Sequence, residues 1–204
     1  MTLEVVSPPH WPAGFADPVH DAQRVFRAYL SALSHPGKAV QVCEVAGPRF
    51  SPYHPATTAL LLALADETTP VWWQDVGHRQ ADALRFHTGA PQTESPAEAA
   101  FAVIGRPLQM PALDAFAPGS DAFPERSTTV VIEVADLEDG PRFAATGPGI
   151  NGEIDIAVRG LPPDFASQWQ RNHAAFPCGV DLILTTATHA LGLPRTTRLQ
   201  GRHQ

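Results

Sequence analysis

The sequence predicts an α/β fold in which a mixed β-sheet is flanked by helices. Three observations carry that prediction. Val180–Thr186 is an apolar run rich in branched side chains, the composition of a strand buried on both faces. Helix-like and strand-like segments alternate in the first half of the chain, and short antiparallel pairs dominate the second. Ala190–Leu193 reads as a strand returning along Val180–Thr186, with Pro194 ending it.

In chain order, Met1–Pro18 is Pro-rich and irregular, with Trp11 and Phe15 expected to lie across the fold. Asp21 is the expected N-cap of a helix whose apolar face is Ala22, Val25, Phe26, Tyr29, Leu30 and Leu33. Ser34-His35-Pro36-Gly37 stops it. Ala39–Val45 reads as a strand. Ala59–Ala65, introduced by Pro55 and Thr57, is a buried helix because Leu and Ala dominate and no polar face exists. Val71–Trp73 is a short strand, His78–Thr88 a helix capped by Gly89, and Ala99–Ile104 a strand. A short helix is expected within Pro107–Phe116, then a loop to Ser127.

Thr128–Ala135 is a strand, with Phe143–Thr146 expected to pair antiparallel to it after a turn at Asp136–Pro141. Gly147-Pro148-Gly149 turns into a strand at Glu153–Val158. Pro162-Pro163-Asp164 opens a helix with Phe165, Trp169, His173 and Phe176 on its apolar face. Gln200–Gln204 reads as a polar tail.

Composition narrows the function. The 204 residues are 44% hydrophobic and 17% charged, and fit one domain over Met1–Gln204. A net charge of -7 with no basic run argues against nucleic acid. Cys43 and Cys178 are too few for a disulfide framework, and a reducing compartment is the simpler reading. Met1–Val6 lacks the features of a signal peptide, and Ala59–Ala65 is too short to span a bilayer, so a cytoplasmic location without membrane contact is expected. The one lysine, Lys38, follows Pro36-Gly37 in a surface loop, a poor place for Schiff-base chemistry.

Motifs of catalysis are scarce. Gly147-Pro148-Gly149 precedes a strand and Pro148 removes an N–H, so a tight turn is favoured over a phosphate loop. None of the nine histidines has zinc-protease spacing, and no Cys-x-x-Cys exists, so no metal site is expected. Cys178 reads as a small hydrophobe and His173 as a hydrogen-bonded core or interface histidine. Two groups could hold an anion. Arg85 and His87 sit near a helix end, where they could equally complement its dipole. Arg195, Thr196 and Thr197 offer a guanidinium and two hydroxyls after a strand, although Arg195 could instead pair with Asp181. The structural reading is preferred in both places.

Several segments, in order, resemble a known family. They are Asp21-Ala22-Gln23, Phe26-Arg27, Ser34-His35-Pro36-Gly37, Thr57-Thr58, Leu61-Leu62, Leu64-Ala65-Asp66 and Thr69-Pro70-Val71-Trp72. Leu84-Arg85-Phe86-His87-Thr88, Ala90-Pro91, Phe101-Ala102-Val103, Thr146-Gly147, Gly149-Ile150 and Phe176-Pro177 follow. Gly179, Asp181-Leu182-Ile183-Leu184-Thr185 and Pro194-Arg195-Thr196-Thr197 complete the series. Each piece is weak alone, but their order and spacing over nearly the whole chain are specific. The sequence resembles the PhnH family, a component of the bacterial carbon–phosphorus lyase complex.

That resemblance implies a fold like the pyridoxal-phosphate-dependent transferases without the cofactor, and no cofactor of its own. It implies a homodimer in isolation and, in cells, a complex with the G, I and J subunits. With G, I and the ATPase-like L, the family supports transfer of the ribose triphosphate of ATP to an alkylphosphonate with release of adenine. The J component later breaks the carbon–phosphorus bond with an iron–sulfur cluster and S-adenosylmethionine. The resemblance supplies no catalytic residue. The alternative expectation is a chain that binds phosphonate or nucleotide through Arg85, His87, Arg195 and Thr196.

Overall fold

The computed structural model describes residues 11–44, 46–75 and 78–202. Its main sheet is built around the hairpin that the sequence marks most clearly. β7 (Asp181–Thr185) and β8 (His189–Leu193) pair antiparallel, Leu182 with Leu193 and Thr185 with Ala190. On its other side β7 pairs in parallel with β4 (Thr129–Glu133), β4 with β3 (Phe101–Ile104), and β3 with β2 (Val71–Trp73). β1 (Val40–Gln41) closes the far edge against β8. The result is a six-stranded mixed sheet in the order β1-β8-β7-β4-β3-β2. Strands with a neighbour on both edges and cover on both faces need apolar side chains throughout, and Leu182–Thr185 are all buried.

Helices α1 (Pro18–Ser34), α2 (Pro55–Leu64) and α3 (His78–Thr88) cover one face of this sheet. Ala56, Ala59 and Leu60 of α2 pack on Val131 and Ile183 of the sheet. Thr57 and Thr58 are also fully buried, and each hydroxyl is satisfied. Thr57 Oγ1 lies 2.9 Å from Thr185 Oγ1, and Thr58 Oγ1 accepts the Phe50 N–H at 3.0 Å. Gly89, with φ +79°, ends α3 in the left-handed conformation expected of a helix cap. Trp11 stacks on Phe86, and Phe15 packs beside α1, so both cross the fold as expected.

The opposite face is covered by a second sheet and by α4 (Phe165–Ala174). β5 (Arg142–Thr146) runs antiparallel between β6 (Ile154–Ala157) and β9 (Arg198–Gly201). Phe143, Ile156 and Leu199 from this sheet meet Ile132, Leu182 and Leu193 from the main one in a single core with Trp169. Each fully buried side chain of that size contributes roughly 1.5–3 kcal/mol.

Several expectations are corrected. β5 does not pair with β4, because both edges of β4 are already taken by parallel strands. Residues read as the start of a polar tail belong to β9; only Leu199 of that strand faces the core, so its pattern is nearly all polar. Pro107–Phe116 forms two short 3-10 turns, Pro107–Gln109 and Leu113–Ala115, rather than a helix, with Pro111 between them. The N-cap of α1 is Asp17, whose carboxylate accepts the His20 N–H at 3.2 Å, with Pro18 as the first helical residue. Asp21 instead lies in the first turn and accepts the Asp17 N–H at 3.2 Å. The strand expected over Ala39–Val45 shrinks to β1, and Val45 lies outside the described residues.

The buried stripe of α1 is also displaced. Val25 and Ala32 are buried and Ala28, Tyr29 and Leu33 pack beside them, whereas Phe26 and Leu30 are about half exposed. The reason lies across the interface. A Cβ added to Gly192 of β8 would stand 2.6 Å from the Ala32 carbonyl oxygen. Close approach of helix to strand at Ala32 leaves no room for a larger side chain there, and Phe26 and Leu30 turn outward. No helix among the described residues is long and apolar enough to cross a membrane.

Candidate functional site

α4 is held in register on the main sheet by three polar side chains on its inner face. Trp169, fully buried, donates its Nε1–H to the Thr197 carbonyl at 2.8 Å. Asn172 bonds both ways with the Val180 backbone, at 2.8 and 2.9 Å. His173 places Nδ1 at 2.8 Å from the Arg195 carbonyl oxygen. The helix therefore buries Phe165, Gln168, Trp169 and Asn172, while His173 is only half-buried and Phe176 is exposed. This corrects the expected apolar face over Phe165, Trp169, His173 and Phe176.

The partners of His173 fix its tautomer. A carbonyl oxygen only accepts, so Nδ1 carries the proton. Nε2 then accepts from Arg198 Nε–H, at 3.2 Å. The neutral imidazole thus bridges the turn after β8 to the first residue of β9.

Arg195 lies beneath this bridge, with its side chain 11% exposed. Its Nε–H and one Nη2–H form a fork on the Asp181 carboxylate, at 3.1 and 2.6 Å. Its backbone N–H adds a third bond to Asp181 at 2.8 Å. Nη1 donates to the carbonyls of Pro124 and Pro177, at 2.9 and 3.3 Å, and Nη2 also donates to Ser127 Oγ. All five guanidinium N–H groups are therefore committed within the chain. An anion could reach Arg195 only by displacing one of these partners.

Above this layer opens a cleft of about 470 Å³. Its walls are His173 in the last turn of α4 and Phe176 just after it, Thr196 from the turn before β9 and Arg198 at its start, and Thr146, Gly147 and Pro148 at the end of β5. Gly147, with φ +137°, lets the two turns touch; a Cβ there would stand 2.9 Å from the Thr196 carbonyl oxygen. The Gly147–Gly149 segment is a turn, as expected, and Gly149 (φ +83°) rests against Pro36 and Ser34 at the end of α1. Segments 34–37, 146–150, 176–177 and 194–197, distant in sequence and all among those carrying the family resemblance, thus converge here.

The cleft joins an apolar floor, from Phe176 and Pro148, to a cationic edge. Among the described residues Arg198 has no acidic partner, and its Nη groups make no hydrogen bond. The Thr196 hydroxyl lines the same edge. The sequence names Thr196 as an anion candidate and His173 only as a hydrogen-bonded core or interface histidine, and it does not single out Arg198. Arg198 could have been found only by recognising its polar surroundings as a strand.

Arg85 and His87 lie elsewhere, in the last turn of α3. His87 Nε2 donates to the Pro12 carbonyl at 2.9 Å, and its ring stacks on Phe50. Arg85 is exposed and shares no bonding partner with Arg195 or Thr196 among the described residues. The four candidates thus fall into two places. Cys43 and Cys178 are both free thiols. Burial pushes the Cys43 thiol up to about 11, and burial with the nearby Asp121 also raises that of Cys178. Among the described residues, no group of three or more His, Cys, Asp or Glu side chains is placed to hold a metal ion.

The family profile described as "Bacterial phosphonate metabolism protein (PhnH)" matches residues 13–200. The chain belongs to the PhnH family. A PhnH relative in Rhizobium meliloti (strain 1021), the alpha-D-ribose 1-methylphosphonate 5-triphosphate synthase subunit PhnH, is 41% identical over 188 residues. That alignment covers 91% of this chain and 94% of the relative. A second, the putative C-P lyase subunit protein HtxG of Stutzerimonas stutzeri, is 34% identical over 185 residues, covering 89% of this chain and 88% of the relative. The PhnH match runs from before α1 into β9 and takes in every residue that lines the cleft.

Proposed function

We propose that this chain is a subunit of the carbon–phosphorus lyase machinery of phosphonate catabolism, supporting transfer of the ribose triphosphate of ATP to an alkylphosphonate with release of adenine. The observation that carries the reading is the 41% identity, over nearly the whole of both chains, with a protein named as the PhnH subunit of that synthase. In this reading the chain is cytoplasmic, forms a homodimer alone and joins the G, I and J subunits in the assembly. Its main sheet is of the pyridoxal-phosphate transferase type, and it uses no cofactor of its own. The exposed position of Lys38, the one lysine, supports that last point.

A second reading has the chain itself bind phosphonate or triphosphate. It is favoured by Thr196 and Arg198 sharing one cleft edge, since a guanidinium with free N–H groups matches phosphonate oxygens. Co-expression of the tagged chain with G, I and J separates the two. The subunit reading expects a mixed complex of defined mass and loss of phosphonate growth when the gene is deleted. An Arg198→Ala chain that assembles normally yet fails to restore growth supports direct binding. A chain that ignores all three partners overturns the subunit reading.

A further inference from the structure

A second cleft opens at the carboxyl ends of the parallel strands β2, β3 and β4. Open α/β sheets bind ligands in this crevice. Its volume is about 540 Å³, within the ~300–1,000 Å³ usual for small-molecule pockets. None of its lining residues belongs to the cleft beside α4.

Glu133 is the last residue of β4 and lies on the face that α2 covers. It is 9% exposed and forms part of the cleft wall. One carboxylate oxygen accepts the His54 N–H at 2.6 Å, at the start of α2. The other oxygen has no protein partner among the described residues. No arginine or lysine there lies within ion-pairing distance; the nearest basic group is His54 Nδ1, 3.9 Å away. That nitrogen is itself buried and without a hydrogen-bond partner.

The one guanidinium at the rim is held away. Arg106 grips Asp75 through Nε, at 2.5 Å, and through Nη2. Gln74 clamps the Arg106 backbone at both N–H and carbonyl, at 2.8 and 2.9 Å. Tyr53 donates its hydroxyl to the Asp75 carbonyl. Burial, then the negative charges of Glu133 and Asp75, push its phenol up to about 12. The cleft therefore holds two carboxylates against one arginine, and its buried carboxylate lacks a cation. The N-terminus of α2 supplies part of the compensation. Buried charge is ordinarily paired, and among the described residues nothing fills that place for Glu133.

We propose that this cleft binds a small ligand carrying a primary ammonium group. The ammonium has three N–H donors, one for the free oxygen of Glu133 and one for His54 Nδ1 acting as a neutral acceptor. This assignment is independent of the phosphonate reading.

Titrating the isotope-labelled full chain with ethanolamine tests it through backbone amide shifts. Saturable shifts centred on Tyr53, His54, Arg106 and Glu133 are expected, with acetate and ribitol giving none. Glu133→Gln keeps an acceptor for the His54 N–H and removes the charge, so affinity should fall at least about tenfold. His54→Leu keeps the backbone bond to Glu133 and removes Nδ1, and it should also weaken binding. The His54 variant carries the test if the Glu133 variant does not fold. Absence of saturable shifts, equal shifts with acetate or ribitol, or unchanged affinity in the folded variants overturns the proposal.

Discussion

Arg195 illustrates how one side chain can fix the shape of a cleft without facing it. Its guanidinium ties β7, through Asp181, to the backbone at Pro124 and Pro177 and to the Ser127 hydroxyl. Its carbonyl orients His173. Removing the side chain leaves Asp181 with only the backbone N–H of residue 195, and leaves two carbonyls without their donor. Arg195→Ala should therefore lower stability by about 3 kcal/mol, in the range for breaking a largely buried pair. Arg195→Lys should recover little of this, because an ammonium cannot reproduce the planar fork. Chemical denaturation of both variants checks the expectation. Wild-type stability in Arg195→Ala, together with lost growth on phosphonate, would instead assign the residue to ligand binding.

Element by element, the chain discloses what composition controls and conceals what pairing controls. The β7–β8 hairpin was legible because branched apolar residues run unbroken and Pro194 stops them. α2 was legible because Leu and Ala recur with no polar face. The partner of β5 was not, since its short run of consecutive buried residues carries no label for which edge it joins. β9 was hidden by its exposed side chains, and with it Arg198, the cation of the candidate cleft. Thr196 could be named from its position after β8, but its place in one cleft with His173 follows only from the packing of α4. The face of α1 was misjudged because hydrophobic size was weighed without the close approach at Gly192. That approach makes a prediction. Gly192→Ala should push α1 off β8 and cost roughly 1–3 kcal/mol, the usual penalty for overpacking. Because the φ of Gly192 is not in the left-handed region, the loss would report the contact and not backbone strain. A melting temperature equal to that of the parent would show that α1 has room to move.

Over the whole molecule, the response to acid should come in part from exposed carboxylates that hold the connections between elements. Asp17 caps α1; hydrogen bonds from the His20 side chain and then its backbone hold its carboxyl below the ordinary 3.8. Asp66 shapes the turn from α2 to β2 and is lowered by the Thr68 hydroxyl and N–H. Asp136 receives the N–H groups of Glu138 and Asp139 in the turn between β4 and β5, and is lowered likewise. A carboxyl whose folded pKa is depressed binds its proton more readily in the unfolded chain. Its contribution is complete above the unfolded value and is lost as pH falls through 3.8 towards the folded value. All three groups are exposed, so each effect is small beside the rest of the acid response. A difference measurement removes that common background. Replacing Asp17, Asp66 and Asp136 together by Asn retains an acceptor oxygen at each turn but abolishes the titration. Thermal melts of parent and triple variant from about pH 6 to about pH 3 should then converge as acid is added, the parent falling more steeply. Parallel curves across that interval would mean that these turns add nothing to the acid response.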